Sequence, residues 1–220
     1  MKKFNINYVL LFFTVIALIC ILFRQFILID VPEWFSWGSE LGELLFNLSI
    51  GYLVTYWFYY LTVQRPGRIR RNKATLHSKV YVNKILLAYE SLSTELLAAN
   101  KDVVEFDKGS KEELEAAFKL INLRSNSTIY DSNFNLLTWG SLIRSKRNQI
   151  VNNLREITLL FNDLDVEQVE AVTILLRQNI FEYLKNIDLN HFDSFEGFAS
   201  DYYELGSLMD NLKRQFEVNN

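Results

Sequence analysis

The sequence predicts an all-α protein in two parts: a two-helix transmembrane hairpin, followed by a cytoplasmic helical bundle of about five helices. Half of the 220 residues are hydrophobic, while only two are proline and eight are glycine, a composition that favours long helices. Two long apolar runs lie close together near the N-terminus. Apolar residues then recur at helical spacing through the rest of the chain.

The first apolar run covers residues 8–23 and is interrupted only by Thr14. It is slightly short for a hydrocarbon core of about 30 Å. We therefore expect a span over about residues 7–28, in which Arg24 extends toward the outer headgroups. The alternative is a cleaved signal peptide, because two lysines precede the run. The sequence lacks a small-x-small cleavage site after the run and has a second span soon after it, which favours a true span.

The second apolar run covers residues 44–63 and ends at a basic junction, residues 65–73. Pro66 and Gly67 are expected to break the helix within this junction. Five cations of the junction are expected to contact anionic lipid headgroups, at ~1 kcal/mol each. They are Arg65, Arg68, Arg70, Arg71 and Lys73.

Charge on the two sides of the hairpin predicts its orientation. Lys2 and Lys3 precede the first span and the basic junction follows the second, whereas the loop of residues 24–43 holds one basic and four acidic residues. Basic flanks stay in the cytoplasm. We therefore expect a membrane protein with both termini cytoplasmic. The predicted parts are a hairpin (1–64), the junction (65–73) and a helical domain (74–220).

One face of the second span carries small and polar residues that share about a third of the helix circumference. They are Glu40, Glu43, Asn47, Gly51, Thr55 and Thr62. One interpretation is a packing seam, for example against the first helix, because small and hydrogen-bonding side chains let membrane helices approach closely. The other is the lining of a pore, with Glu43 and Asn47 in its outer half. Packing seams are the commoner case, and only the pore predicts water along this face.

The rest of the chain reads as helices joined by polar loops. Residues 72–220 hold 16 basic and 22 acidic residues, a balance that disfavours nucleic acid as a partner. The predicted helices lie near 74–99, 111–124, 134–162, 166–187 and 195–217. Residues 100–110 and 125–133 are predicted surface loops, because they are rich in Asn, Ser, Asp and Lys.

Capping boxes and apolar stripes support these helices. The boxes pair Ser110 with Glu113, Asp165 with Gln168, and Asp193 with Glu196. The third helix carries a heptad-like stripe, Leu136, Ile143, Ile150, Leu154, Ile157 and Phe161. The fourth helix carries a matching stripe, Val169, Val172, Leu176, Ile180 and Leu184. Because their connection is short, we expect the two helices to form an antiparallel pair. Arg144, Lys146 and Arg147 are interpreted as a solvated basic face.

One histidine lies in a pattern that carries chemistry. The string from Arg71 to His77, Arg-Asn-Lys-Ala-Thr-Leu-His, resembles the Arg-polar-x(4)-His signature of HEPN-type ribonucleases. The resemblance implies that His77 moves a proton while Arg71 stabilises charge on the scissile phosphate of RNA. Arg71 has an alternative role as a membrane-proximal anchor.

No metal or cofactor site is predicted. His191 lies among Asp188, Asn190, Asp193 and Glu196, oxygen ligands that suit Ca²⁺ or Mg²⁺, but such acidic connections between helices are common without a metal. The single cysteine, Cys20, excludes an intramolecular disulfide or a cysteine-based metal cluster. The sequence contains no glycine-rich phosphate loop and no known nucleophile motif, so an enzymatic function is disfavoured.

The hairpin, the basic junction and the helical domain together resemble the layout of small bacterial membrane effectors of antiphage defence systems. The resemblance implies an oligomer that permeabilises or depolarises the inner membrane. The expected partners are the lipid bilayer, further copies of the chain and a cytoplasmic protein. The first alternative is a membrane-anchored adaptor or sensor that recruits a cytoplasmic partner, and the second is a membrane-tethered RNase.

Overall fold

The computed structural model describes residues 6–26, 38–98, 111–130, 133–186 and 194–217. These residues are mostly helical and include two short strands. They divide into two compact units, unit one (Met1–Arg70) and unit two (Arg71–Asn220).

Unit one contains helices α1 (Ile6–Phe26) and α2 (Gly38–Tyr59). Both sequences are helical because they contain no proline and few of the short polar side chains that hydrogen-bond the backbone in other conformations. Both are long and apolar enough to cross a membrane, and Ala17 and Ser49 are the only buried side chains among their described residues. The two helices pack against each other.

The expected helix break at Pro66 and Gly67 is wrong. After α2 the chain forms a π-helical turn, Tyr60–Gln64, and continues directly into α3 (Arg65–Ala98). The N–H of Arg65 donates to the carbonyl of Tyr60, five residues back. Proline lacks an N–H, and its ring clashes with the carbonyl four residues earlier. The wider π turn just before Pro66 gives this ring space, so the helix continues through the proline instead of ending.

Buried residues of α3 belong to the hydrophobic core of unit two. The described part of this unit contains five further helices: α4 (Lys111–Lys119), α5 (Trp139–Thr158), α6 (Val166–Leu176), α7 (Asn179–Asn186) and α8 (Ala199–Glu217). Helix α5 packs against α6 and α7, while α8 packs against α4 and α6. Six α-helices, including α3, therefore contribute to the described part of this unit. The large side chains of its core are fully buried, among them Ile85, Leu96, Phe118, Leu154, Leu175 and Phe216.

A β-hairpin replaces part of a predicted loop and the start of a predicted helix. Strand β1 (Asn126–Tyr130) pairs antiparallel with β2 (Leu136–Thr138). Helix α5 therefore begins at Trp139 rather than at residue 134, and the Thr138 side chain accepts from the Ser141 N–H at its start. Thr128 also donates to Glu95 of α3, which ties the hairpin to the bundle.

The predicted helix over 166–187 is two helices. The capping box of Asp165 and Gln168 is confirmed at the start of α6. Helix α6 ends at Leu176 with Arg177 as its C-cap residue, and α7 starts at Asn179. Nε of Arg147, within α5, donates to the carbonyl of Phe181 in α7 at 2.9 Å. Because α7 reaches back to the first half of α5, the chain runs antiparallel to α5 after their connection, as expected. The other two predicted boxes include Ser110 and Asp193, which lie outside the described residues.

The interpretation of Arg144, Lys146 and Arg147 as a solvated face needs correction. All three side chains are partly buried, and Nζ of Lys146 donates to the Ser91 hydroxyl of α3 at 3.0 Å. Burial, followed by the charge of Arg155, lowers the pKa of Arg147. Lys146 therefore links α5 to α3, and Arg147 links α5 to α7, while their long apolar stems cover part of the core.

An aromatic cluster joins α3, α4 and α8. The rings of Tyr89 and Tyr202 stack with centroids 5.3 Å apart, and Phe118 meets Tyr202 edge-on at the same distance. The Ser93 and Tyr202 hydroxyls are hydrogen-bonded at 2.6 Å. A Cβ added to Gly206 would lie 2.7 Å from the Tyr89 hydroxyl oxygen. Gly206 therefore lets α8 approach α3 closely.

We predict that Gly206→Ala destabilises unit two by about 1 kcal/mol or more, because overpacking costs about 1–3 kcal/mol and improved helix propensity returns less than that. Tyr89→Phe removes the clashing oxygen, and the next tyrosine atom, Cζ, would lie 3.8 Å from the new Cβ. In a Tyr89→Phe background the alanine should be neutral or stabilising. Thermal unfolding of the four full-length proteins in detergent measures this coupling, and additive effects would contradict the contact.

A second prediction concerns alkaline pH. Burial raises the pKa of both Tyr89 and Tyr202 above the ordinary value of 10.0. Above about pH 10 the unfolded chain loses these protons while the folded chain keeps them, so stability is complete below that pH and falls as pH rises. Tyr202→Phe should show a shallower decline of unfolding free energy. The exposed Tyr203→Phe variant leaves the cluster intact and should follow the parent; equal slopes for all three proteins would contradict the prediction.

Candidate functional site: a polar face of the second helix

One side of α2 is occupied by α1. The Tyr52 hydroxyl donates to the Leu10 carbonyl at 2.8 Å, and the rings of Tyr52 and Phe13 lie 6.4 Å apart. The Arg24 guanidinium lies over the Phe46 ring at 4.8 Å. The first half of α1 thus contacts the second half of α2, and the end of α1 contacts the first half of α2. The two helices are therefore antiparallel.

The predicted polar face of α2 lies on the side that α1 leaves open. Glu43, Asn47, Gly51 and Thr55 are all exposed. At about 100° per residue they lie roughly opposite the α1-facing side, where Ser49 is only 9% exposed. The polar face therefore does not pack against the first helix.

A shallow, open groove follows this face. Its volume is about 620 Å³. Every residue that lines it belongs to α2: Leu44, Asn47, Leu48, Gly51, Tyr52 and Thr55. A Cβ added to Gly51 would find no neighbouring atom within 4 Å. No contact within a single copy of the described chain therefore requires glycine at this position.

The polar groups on this face differ in how they are satisfied. The hydroxyls of Thr55 and Thr62 donate to the carbonyls of Gly51 and Phe58, at 2.8 and 2.7 Å. The Asn47 carboxamide makes no hydrogen bond to any residue that the structure describes. Its two donor hydrogens and its oxygen are thus available to a group outside the hairpin.

The cations of the basic junction surround the helix instead of lining one face. Arg65, Arg68, Arg70, Arg71 and Lys73 are all exposed at the start of α3. Their spacing distributes them around the whole circumference, with steps of roughly 60–100° between neighbours. We call this arrangement the basic collar.

Arg71 and His77 lie on different faces of α3. Six residues separate them on a continuous helix, which turns their side chains about 120° apart and separates them by about 9 Å along the axis. The His77 ring meets Tyr81 edge-on, with centroids 5.2 Å apart. The structure does not bring this pair together on one side of α3. His191 and most of its acidic neighbours lie outside the described residues.

Sequence reasoning found the polar face but missed the side of α2 that meets α1. The available signal was the recurrence of Gly42, Phe46, Ser49 and Tyr56 at helical spacing, which marks a second face of small and aromatic residues. Comparison with known protein families, with curated proteins and with solved structures gives no match for this chain.

Proposed function

We propose that this protein is a homo-oligomeric effector of the bacterial inner membrane, whose hairpins associate through the polar face of α2 and permeabilise the bilayer. In this proposal α1 and α2 cross the membrane and both termini lie in the cytoplasm. The layout is compatible with a role in antiphage defence, which the proposal includes as its biological setting.

The exposed Asn47 carboxamide is the observation that carries the proposal. In hydrocarbon, an amide without a partner costs several kcal/mol. The threonines of the same face avoid this cost because their hydroxyls donate within the helix. Asn47 avoids this cost only when another polar group or a water molecule bonds to its carboxamide. Among the described residues, α1 supplies no such group.

Gly51 supports association of helices at the same place. It lies one turn from Asn47 and one turn from Thr55, so a small residue separates two hydrogen-bonding ones along the groove. A helix of a second copy could approach the α2 backbone closely here, as at other small-residue interfaces in membranes. In a ring of copies the same face would border the central space, where Glu43 and Asn47 would contact water.

The basic collar supports the proposed orientation. Cations on every side of a helix suit a segment that passes through a layer of anionic headgroups, because each side of it then faces lipid phosphate. A helix lying flat on a membrane would instead concentrate its cations toward one side. The collar follows the second span, and basic flanks remain cytoplasmic.

We predict that Gly51→Leu reduces both assembly and permeabilisation. An added Cβ has no atom within 4 Å in one copy, so we expect the loss to arise at an interface with another molecule. We expect the mass of the detergent-solubilised particle to fall toward that of one protomer, and dye release from reconstituted vesicles to fall about tenfold or more, as losing ~1–2 kcal/mol per helix contact implies.

Gly67→Leu is the matched control, because Gly67 also has no atom within 4 Å of an added Cβ. Asn47→Leu provides a second test, since leucine favours insertion and its effect cannot arise from failure to enter the membrane. A monomeric parent protein, or Gly51 and Asn47 variants that assemble and leak like the parent, would overturn the proposal.

The membrane-anchored adaptor is the alternative, and it differs in what it needs from the hairpin. An adaptor keeps its function when an unrelated two-span anchor replaces residues 1–63, because the hairpin only localises unit two. The proposed effector should lose its function on that replacement even when expression and membrane insertion are normal.

A further inference from the structure

Helix α3 exposes an apolar stripe in unit two. Leu76, Val80 and Leu87 are 65%, 51% and 64% exposed. Their spacings of four and seven residues place them along one line of the helix. Asn83, also exposed, lies on the same line between Val80 and Leu87. We call these four residues the α3 stripe.

The core of unit two lies on the opposite side of α3. The buried residues of this helix are Ala74, Ser78, Val82, Ile85, Ala88, Leu92 and Leu96. At about 100° per residue they centre roughly 180° from the α3 stripe. The helix thus has two apolar sides, and the described part of the chain covers one of them. A surface helix normally has a single apolar face.

The α3 stripe lies in a basic stretch. Residues 71–89 contain four lysines or arginines and no aspartate or glutamate. Lys79 and Lys84 flank the stripe on its two sides, at the positions that correspond to g and e of a heptad. Lys84 is exposed, with its ammonium 5.4 Å from the centroid of the Tyr81 ring.

These charges disfavour a second copy of the chain as the occupant. Two parallel α3 helices joined through their stripes would bring Lys79 of one copy against Lys84 of the other. Like charges at these positions destabilise a helix pair. An acidic helix would instead place carboxylates against both lysines.

Asn83 disfavours a lipid surface as the occupant. An asparagine in the middle of an apolar stripe costs free energy when it enters hydrocarbon without a partner. In a pair of helices the same residue hydrogen-bonds across the interface and fixes the register. The apolar spacing, the basic flanks and this single central amide together match a partner helix.

We propose that the α3 stripe docks an amphipathic, acidic helix of a partner protein. The partner places leucine-like side chains against Leu76, Val80 and Leu87, a polar group against Asn83, and carboxylates against Lys79 and Lys84. The site is separate from the polar face of α2, so it stands whether or not the hairpins assemble.

The test uses the full-length protein in uncharged detergent and a fluorescent peptide of about three heptads. The peptide has leucines and one asparagine at its core positions and glutamates at its flanks. Fluorescence anisotropy should show saturable binding that weakens with salt. The Leu76→Ser, Leu87→Ser double variant should weaken binding at least tenfold, because both changes remove apolar contact without touching the core.

The matched control is Leu159→Ser, which removes a leucine that is 76% exposed near the end of α5. It should bind the peptide like the parent, and a peptide with lysines in place of glutamates should not bind. Equal binding by the double variant and the parent would show charge attraction alone and overturn the proposal. The proposal would also be overturned if the double variant lost self-association instead of peptide binding. The same holds if it lost binding to anionic lipid vesicles but still bound the peptide.

Discussion

The long helical backbone of residues 38–98 depends on how the chain accommodates Pro66. A proline in a regular helix removes one backbone hydrogen bond and collides with the carbonyl four residues earlier. The π turn over Tyr60–Gln64 places an i to i−5 bond from Arg65 to Tyr60 just before the proline. The widened turn keeps α2, the basic collar and α3 in one uninterrupted helical segment.

The spacing of apolar residues in the sequence predicted the helices that carry long apolar patterns. The two apolar helices and the buried stripe of Ile143, Ile150 and Leu154 follow from residue spacing alone, and the structure buries that stripe. Local composition gave the wrong secondary structure where contacts between distant residues determine it. The polar composition of residues 125–133 indicated a loop, but Ser127, buried in β1, donates to the Leu137 carbonyl at 2.8 Å and holds the strands together. The break near Arg177 has neither proline nor glycine to announce it.

At the candidate site, too, residue spacing predicted part of the arrangement and long-range contacts determined the rest. Spacing alone grouped Asn47, Gly51 and Thr55, because helical geometry fixes which residues share a face. It could not show which face α1 would take, because that depends on a few long-range contacts such as Tyr52 with Leu10. Placing α1 on the Tyr52 and Phe46 side leaves the polar face open. The contact that completes the hairpin is thus also the one that determines what remains available for another molecule.

The chemistry of Asn47 suits the proposed association between copies of this chain. A carboxamide both donates and accepts hydrogen bonds, so it can pair with the same group on an identical helix. Glu43, on the same face, only accepts when ionised, and two such carboxylates repel each other. Copies in one membrane carry Asn47 at the same depth, which makes pairing between these amides geometrically direct. Association through Asn47 would then place the Glu43 side chains near one another, where repulsion and the need for hydration favour water at that end of the assembly.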